Sequence, residues 1–223
     1  MKEHLLIFDM DGTLYDLNDV VQMSYDMQVD FYCKKESISR EETIFIFTQN
    51  HIYPKILKDS KSATEFFLQN GIDKREWAIY REQFFDVSKI QTNKAVGEYL
   101  LREFAQFGRL VLLSSNAFRI ILKILDHIQI SPEIFDKIIC SDLIPSGGVF
   151  NKKMAMEYLL TDYGIRPCDL LSIGDRYNTD IVPAIELGGK GALLRNPESL
   201  NTLLADMKKN NLHSNNKYEY YDN

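Results

Sequence analysis

The chain lacks the features that mark several classes of protein. Its three cysteines, Cys33, Cys140 and Cys168, are odd in number, far apart and free of any C-x-x-C pair. They fit buried or idle reduced thiols of a cytoplasmic protein better than a disulfide framework. The four histidines, His4, His51, His127 and His213, are scattered, so neither a His-x-x-x-His zinc site nor a Cys-His cluster is available. No stretch nears the roughly 18 consecutive apolar residues of a spanning helix, and the apolar run after Met1 is too short for a signal peptide. Positive charge is in deficit. Lys and Arg number 26 against 32 Asp and Glu, a formal net charge of −6. That balance argues against a nucleic-acid partner or an anionic membrane surface, though not against a local basic pocket. Internal repeats are missing as well. What is present is 223 residues, 45% hydrophobic and 26% charged, the composition of a globular protein with one large domain or two small ones.

The chain is organised around residues 5–16. Leu5 to Phe8 are apolar without a break, which predicts a strand buried on both faces. Asp9 and Asp11 follow at once, then Gly12, where the backbone can turn sharply. Acids projecting from the carboxyl end of a buried strand are poor packing, yet that end is where open α/β sheets bind ligands.

Residues 17–93 read as helical throughout. Asn18 is positioned to cap a first helix carrying Val20, Met23, Met27 and Phe31 on one face. Ser39-Arg-Glu-Glu42 has capping-box spacing for a second, which Pro54 should end, and Ser62-Ala-Thr-Glu65 opens a third that closes at Gly71. Asp73-Lys-Arg-Glu76 opens a fourth, with Trp77, Tyr80, Phe84 and Phe85. Aromatics at helical spacing mean a core here rather than a base-stacking surface.

From Lys94 the rhythm changes to alternating helix and strand. Helices are predicted over 94–107, 118–127, 153–163, 179–187 and from Asn196-Pro197 to about Lys208. Strands are predicted at 110–113, 137–140, 170–173 and 192–194. The fold class is therefore α/β, a parallel sheet covered by helices on both faces. Residues 1–15 and 94–209 form that domain, 16–93 an inserted all-helical cap, and 210–223 a polar, loosely ordered tail.

The later strand ends add further chemistry. Ser114, Ser115 and Asn116 end the second strand, Asp175 ends the fourth, and Asp180 lies five residues on. Lys152 and Lys153 sit just before the helix that leads into the fourth strand. Four acids cannot converge unaided, since two like charges ~4 Å apart at an effective dielectric of ~20 repel by ~4 kcal/mol. A hard divalent cation removes that penalty, and oxygen ligands alone favour magnesium. Carboxylates, magnesium, a lysine and a serine hydroxyl together suit phosphoryl transfer.

Four motifs stand in order: Asp9-Met-Asp-Gly-Thr-Leu14, the serine before Asn116, Lys152 or Lys153, and Gly174-Asp-Arg-Tyr-Asn-Thr-Asp180. On these residues the chain resembles the haloacid dehalogenase superfamily, in its phosphatase branch with a helical cap, over residues 1–15 and 94–195. The resemblance implies a Rossmann-like core and a nucleophilic Asp9 that forms an aspartyl-phosphate. It implies Asp11 as acid and then base. It also implies magnesium on Asp9, the Asp11 carbonyl and Asp175, with Asp180 acting through water or by orienting its neighbours. The family's dehalogenases replace the second acid of the first motif, so Asp11 speaks for phosphate chemistry. Ser114 and Ser115 both fit the second motif, and the family's habit of placing Asn directly after its hydroxyl favours Ser115. Counting back from Gly164 and Asp175 favours Lys152 over Lys153. Ser115, Asn116 and Lys152 would contact the phosphate of a small phosphorylated metabolite. A phosphomutase acting on sugar phosphates is the alternative, followed by a non-catalytic phosphate-binding regulatory protein. Asn116 suits a helix cap as well as a substrate contact, and Tyr15, Asp16, His51 and Tyr53 are candidate substrate contacts that fit core or surface roles better.

Overall fold

The computed structural model describes residues 4–54, 61–141, 150–210 and 218–221. These fall into two compact units, one holding the described residues up to Leu17 and from Ile90 onward, the other Asn18–Lys89. In chain order the elements are β1 (His4–Phe8), α1 (Val21–Glu36), α2 (Arg40–Gln49), α3 (Ala63–Gln69), α4 (Lys74–Phe84), α5 (Glu98–Phe104), β2 (Gly108–Leu113) and α6 (Phe118–His127). They continue with β3 (Lys137–Ile139), α7 (Lys152–Tyr163), β4 (Leu170–Gly174), α8 (Val182–Glu186), β5 (Lys190–Leu194), α9 (Ser199–Asn210) and β6 (Tyr218–Tyr221).

The first unit is built on one parallel sheet in the order β3-β2-β1-β4-β5-β6. β1 is central, with Leu6 level with Leu110 on one side and Leu171 on the other. Its residues alternate between two buried faces. Leu5 and Ile7 join Met156 and Leu159 of α7 and Ala184 of α8, while the Phe8 ring meets Phe104 of α5 edge-on at 5.3 Å. Burial on both sides is why the strand is apolar without a break. Strands β2 and β3 continue to one side of β1, and β4 and β5 to the other, so the winding reverses between β1 and β4. Such a sheet opens a crevice at that point, beyond the carboxyl ends of the strands.

Four expectations change. The helix predicted from Lys94 starts only at Glu98: Thr92–Lys94 make a 3₁₀ turn, and Ala95 and Gly97 are extended around Val96, whose N–H donates to the Leu14 carbonyl at 2.8 Å. Asn18 lies in a short 3₁₀ turn and does not cap α1, whose N-cap is Val20 without a side-chain bond. Before α8 the chain makes a π turn, Tyr177–Ile181. In the tail, Tyr218–Tyr221 pair with β5 as a sixth strand rather than lying loose.

The second unit is helical and its core is aromatic. Phe67 touches the rings of Phe31, Tyr32, Phe47, Phe66 and Trp77 at centroid distances of 5.2 to 6.2 Å. Helix starts follow the sequence signals: Ser39 and Glu42 complete the capping box of α2, Ser62 accepts from Glu65 N before α3, and Asp73 from Arg75 N before α4. Among the described residues no helix is long and apolar enough to cross a membrane.

Candidate active site

β1 delivers Asp9 to the reversal point. The Asp9 N–H still bonds the Ile173 carbonyl of β4 at 2.9 Å, so its backbone is one rung of the ladder, and the residue is 8% exposed. The chain then turns, with Thr13 N and Leu14 N both donating to the Met10 carbonyl. Gly12 adopts φ +80°, and a Cβ there would lie 2.5 Å from Asp175 Oδ2. Both the backbone conformation and the closeness of Asp175 demand glycine.

Lys152 arrives from the other side. Asn151 caps α7 by accepting from Lys153 N and Met154 N, which sets Lys152 at the first helical position. Its ammonium donates to Asp9 Oδ1 at 2.6 Å and to Asp180 Oδ1 at 2.7 Å, all three side chains being buried or nearly so. Lys153, one position on, points instead to Glu186 at the surface, 2.7 Å away. Burial works against the Lys152 charge, but the Asp9 and Asp180 carboxylates more than restore it, leaving its pKa above the ordinary lysine value. A buried ion triad is weak evidence for stability and is better read as positioning.

Asp180 comes from the π turn, a feature common at functional sites. Both its oxygens are engaged: Oδ1 with Lys152 and Thr179 Oγ1, and Oδ2 with Arg176 N at 2.9 Å. Asp175, at the end of β4, is the opposite case. Its Oδ1 is buried with no hydrogen-bond partner among the described residues. Burial, then Asp9 and Asp180, push its carboxyl up to about 8, with Arg176 pulling the other way. Burial likewise lifts Asp9 to about 6, against Lys152 and with help from Asp180 and Asp11. Asp9, Asp175 and Asp180 offer oxygens that all lie within 4.8 Å of one another. An orphaned carboxylate oxygen beside two further acids fits a hard divalent cation bound through oxygen.

The end of β2 separates its two serines. Ser114 is buried and its Oγ accepts from Asn116 N at 3.2 Å, which closes the turn. Ser115 is exposed. Asn116 is 2% exposed and does not cap α6, whose N-cap is Ala117. Its amide Nδ2 donates to Asp11 Oδ1 at 2.9 Å, and the Tyr15 hydroxyl donates to that same oxygen at 2.5 Å. Asp9, Asp175, Asp180 and Lys152 thus form one cluster, and Asp11, Asn116 and Tyr15 another. Ser115 is bonded to neither among the described residues. Sequence reasoning weighed Tyr15 as a substrate contact or a core residue, and not as a partner of Asp11. Its position four residues after Asp11 was the only signal, and that spacing becomes a contact only through the turn at Gly12.

The family model of the haloacid dehalogenase-like hydrolases matches residues 4–188, a span that contains every residue of both clusters. Among solved structures, a HAD phosphatase from Thermococcus onnurineus superposes with a TM-score of 0.61 at 18% identity, over 90% of this chain and 97% of that one. A protein from Thermotoga maritima assigned as a β-phosphoglucomutase gives 0.55 at 16%, over 91% and 99%. A 2-haloacid dehalogenase from Pseudomonas syringae pv. Tomato DC3000 gives 0.53 at 16%, over 91% and 98%. No curated protein sequence matches the chain. Likeness at such identities establishes the fold, and three chemistries share it, so the choice among them rests on side chains.

Proposed function

Because the chain belongs to the haloacid dehalogenase-like hydrolases, we propose that it hydrolyses the phosphomonoester bond of a small phosphorylated metabolite through an aspartyl-phosphate on Asp9. The observation that carries this reading is the contrast between the two acids at the end of β1. Asp9 is ion-paired with Lys152, whereas Asp11 sits under two neutral donors, Tyr15 and Asn116. Divergent surroundings are what a nucleophile and a proton carrier need in one site. Asp11 is also the acid for which a dehalogenase has no use.

In this reading the Asp9 carboxylate, kept ionised and aimed by Lys152, forms a bond to phosphorus as the ester P–O bond breaks. Asp11 gives its proton to the departing oxygen. Water then attacks the phosphorus of the aspartyl-phosphate, yields its proton to Asp11, and inorganic phosphate leaves with Asp9 restored. The exposed Ser115 hydroxyl donates to a phosphate oxygen, while Asn116, whose amide is on Asp11, holds the acid rather than the substrate. Magnesium held by Asp9, the Asp11 carbonyl and Asp175, with Asp180 orienting them, would supply positive charge for the phosphate oxygens. Residues 16–93 serve as the cap that selects the substrate, and the reduced thiols suit the cytoplasm.

Hydrolysis of p-nitrophenyl phosphate, measured with magnesium and after chelation, is the direct test. Turnover that disappears on chelation supports the reading, and silence in both states across a panel of phosphorylated metabolites overturns it. Release of inorganic phosphate from a sugar phosphate, rather than isomerisation, separates a hydrolase from a phosphomutase.

A further inference from the structure

Tyr15 is 1% exposed, its backbone forms a short parallel bridge to Asp11, and its hydroxyl lies 2.5 Å from Asp11 Oδ1. A buried tyrosine hydroxyl needs some partner, but this one shares its acceptor atom with Asn116 Nδ2, 2.9 Å away. A carboxylate oxygen has two in-plane lone-pair directions. With a donor on each, Oδ1 is a poor seat for a proton, and the proton of a neutral Asp11 is confined to Oδ2.

We propose that Tyr15, together with Asn116, is a positioning residue that gives the two oxygens of Asp11 different tasks. Oδ1 is the fixed acceptor that sets the plane and rotamer of the carboxyl group, and Oδ2 carries the proton that moves. The assignment rests on the phosphatase reading. As the ester P–O bond breaks, the proton on Oδ2 passes to the leaving-group oxygen. As water attacks the aspartyl-phosphate, its proton returns to Oδ2. Tyr15 keeps its own proton throughout. Without its hydroxyl the carboxyl group can rotate, and proton delivery falters while the nucleophile is untouched.

That separation can be measured. Tyr15→Phe keeps the ring and removes the donor. The readout is kcat/KM, which reports events up to departure of the leaving group, for p-nitrophenyl phosphate against phenyl and alkyl phosphates. The nitrophenolate ion leaves without a proton, whereas the others need one. The expected result is a fall of about tenfold or more on the phenyl and alkyl esters and under about twofold on p-nitrophenyl phosphate. Asn116→Ser, which withdraws the other donor, should show the same leaving-group pattern, so the test survives if one variant folds poorly. In an Asp11→Asn background, Tyr15→Phe should add nothing, because its effect runs through that acid. Equal losses on all leaving groups, no loss on any, or full additivity with Asp11→Asn overturns the assignment and leaves the phosphatase reading intact. A wild-type protein that hydrolyses none of these esters overturns both.

Discussion

The two units bury different things. Of the buried polar side chains among the described residues, Asp9, Thr13, Ser114, Asn116, Ser172, Asp180 and Ser199 belong to the α/β unit, and Thr43 alone to the helical one. Thr43 has an ordinary structural explanation, since its hydroxyl bonds the Ser39 carbonyl and meets Cys33 Sγ. The helical unit is held by rings packed on rings and by conventional caps. The α/β unit gathers three acids and one ammonium where a core of equal size could have been apolar. Replacing such a cluster by well-packed hydrophobes is often neutral or stabilising, so its presence reflects chemistry rather than stability. Function and stability are therefore separable by unit, and four measurements bear on that separation.

The largest effect belongs to Asp9→Asn. Turnover of any phosphomonoester should fall by about a thousandfold or more, because the proposed nucleophile is gone while its volume remains. Lys152 keeps Asp180 and the cluster loses one excess negative charge, so the unfolding midpoint without added metal should hold or rise. A protein that unfolds instead would make Asp9 structural. The converse substitution is Phe67→Ala in the helical unit, where a 1% exposed ring touches five others. Deleting it should cost about 3–5 kcal/mol in denaturant unfolding.

A third measurement separates the units by pH. Asp175 titrates at about 8 in the fold, above its ordinary carboxylate value. Between those two values the folded state holds a proton that the unfolded state has released, so metal-free stability declines as pH rises through that window. Asp9, lifted to about 6, adds the same trend over a narrower range. Below the ordinary carboxylate range neither contributes. Magnesium competes with those protons, so the rise in unfolding midpoint that it causes should grow from pH 5 to pH 8.5. A constant increment would mean the cluster does not hold the ion. The smallest effect is Ser39→Ala, which breaks the capping box of α2 and should cost about 1 kcal/mol without altering turnover per folded molecule.

Local signals were legible because they depend on neighbours in the chain. Leu5–Phe8 announced a strand buried on both faces, Ser39 and Asp73 announced helix starts, and the acids at 9, 11, 175 and 180 announced a site at strand ends. Contacts between distant segments were not. Lys152 and Lys153 differ by one helical step, and only the placement of α7 against β1 shows which ammonium reaches Asp9. Ser114 and Ser115 differ by one step of the pleat in the same way. The extended stretch before α5 is set by a bond to Leu14 that no local propensity reports. Tyr15 read as packing because its ring is packing, and its hydroxyl acquires a role only where the turn after Asp11 brings it back.

The Asp9 amide bonded to Ile173 has a consequence for motion. The proposed nucleophile is fastened by its backbone to the central pair of strands, and amides there exchange with solvent only through the rarest openings of a domain. Its position is therefore as durable as the sheet itself. Any fluctuation able to displace the Asp9 backbone would also have to part β1 from β4. The main chain that carries the proposed nucleophile is therefore expected to stay in place during turnover, and any gating would come from other parts of the molecule.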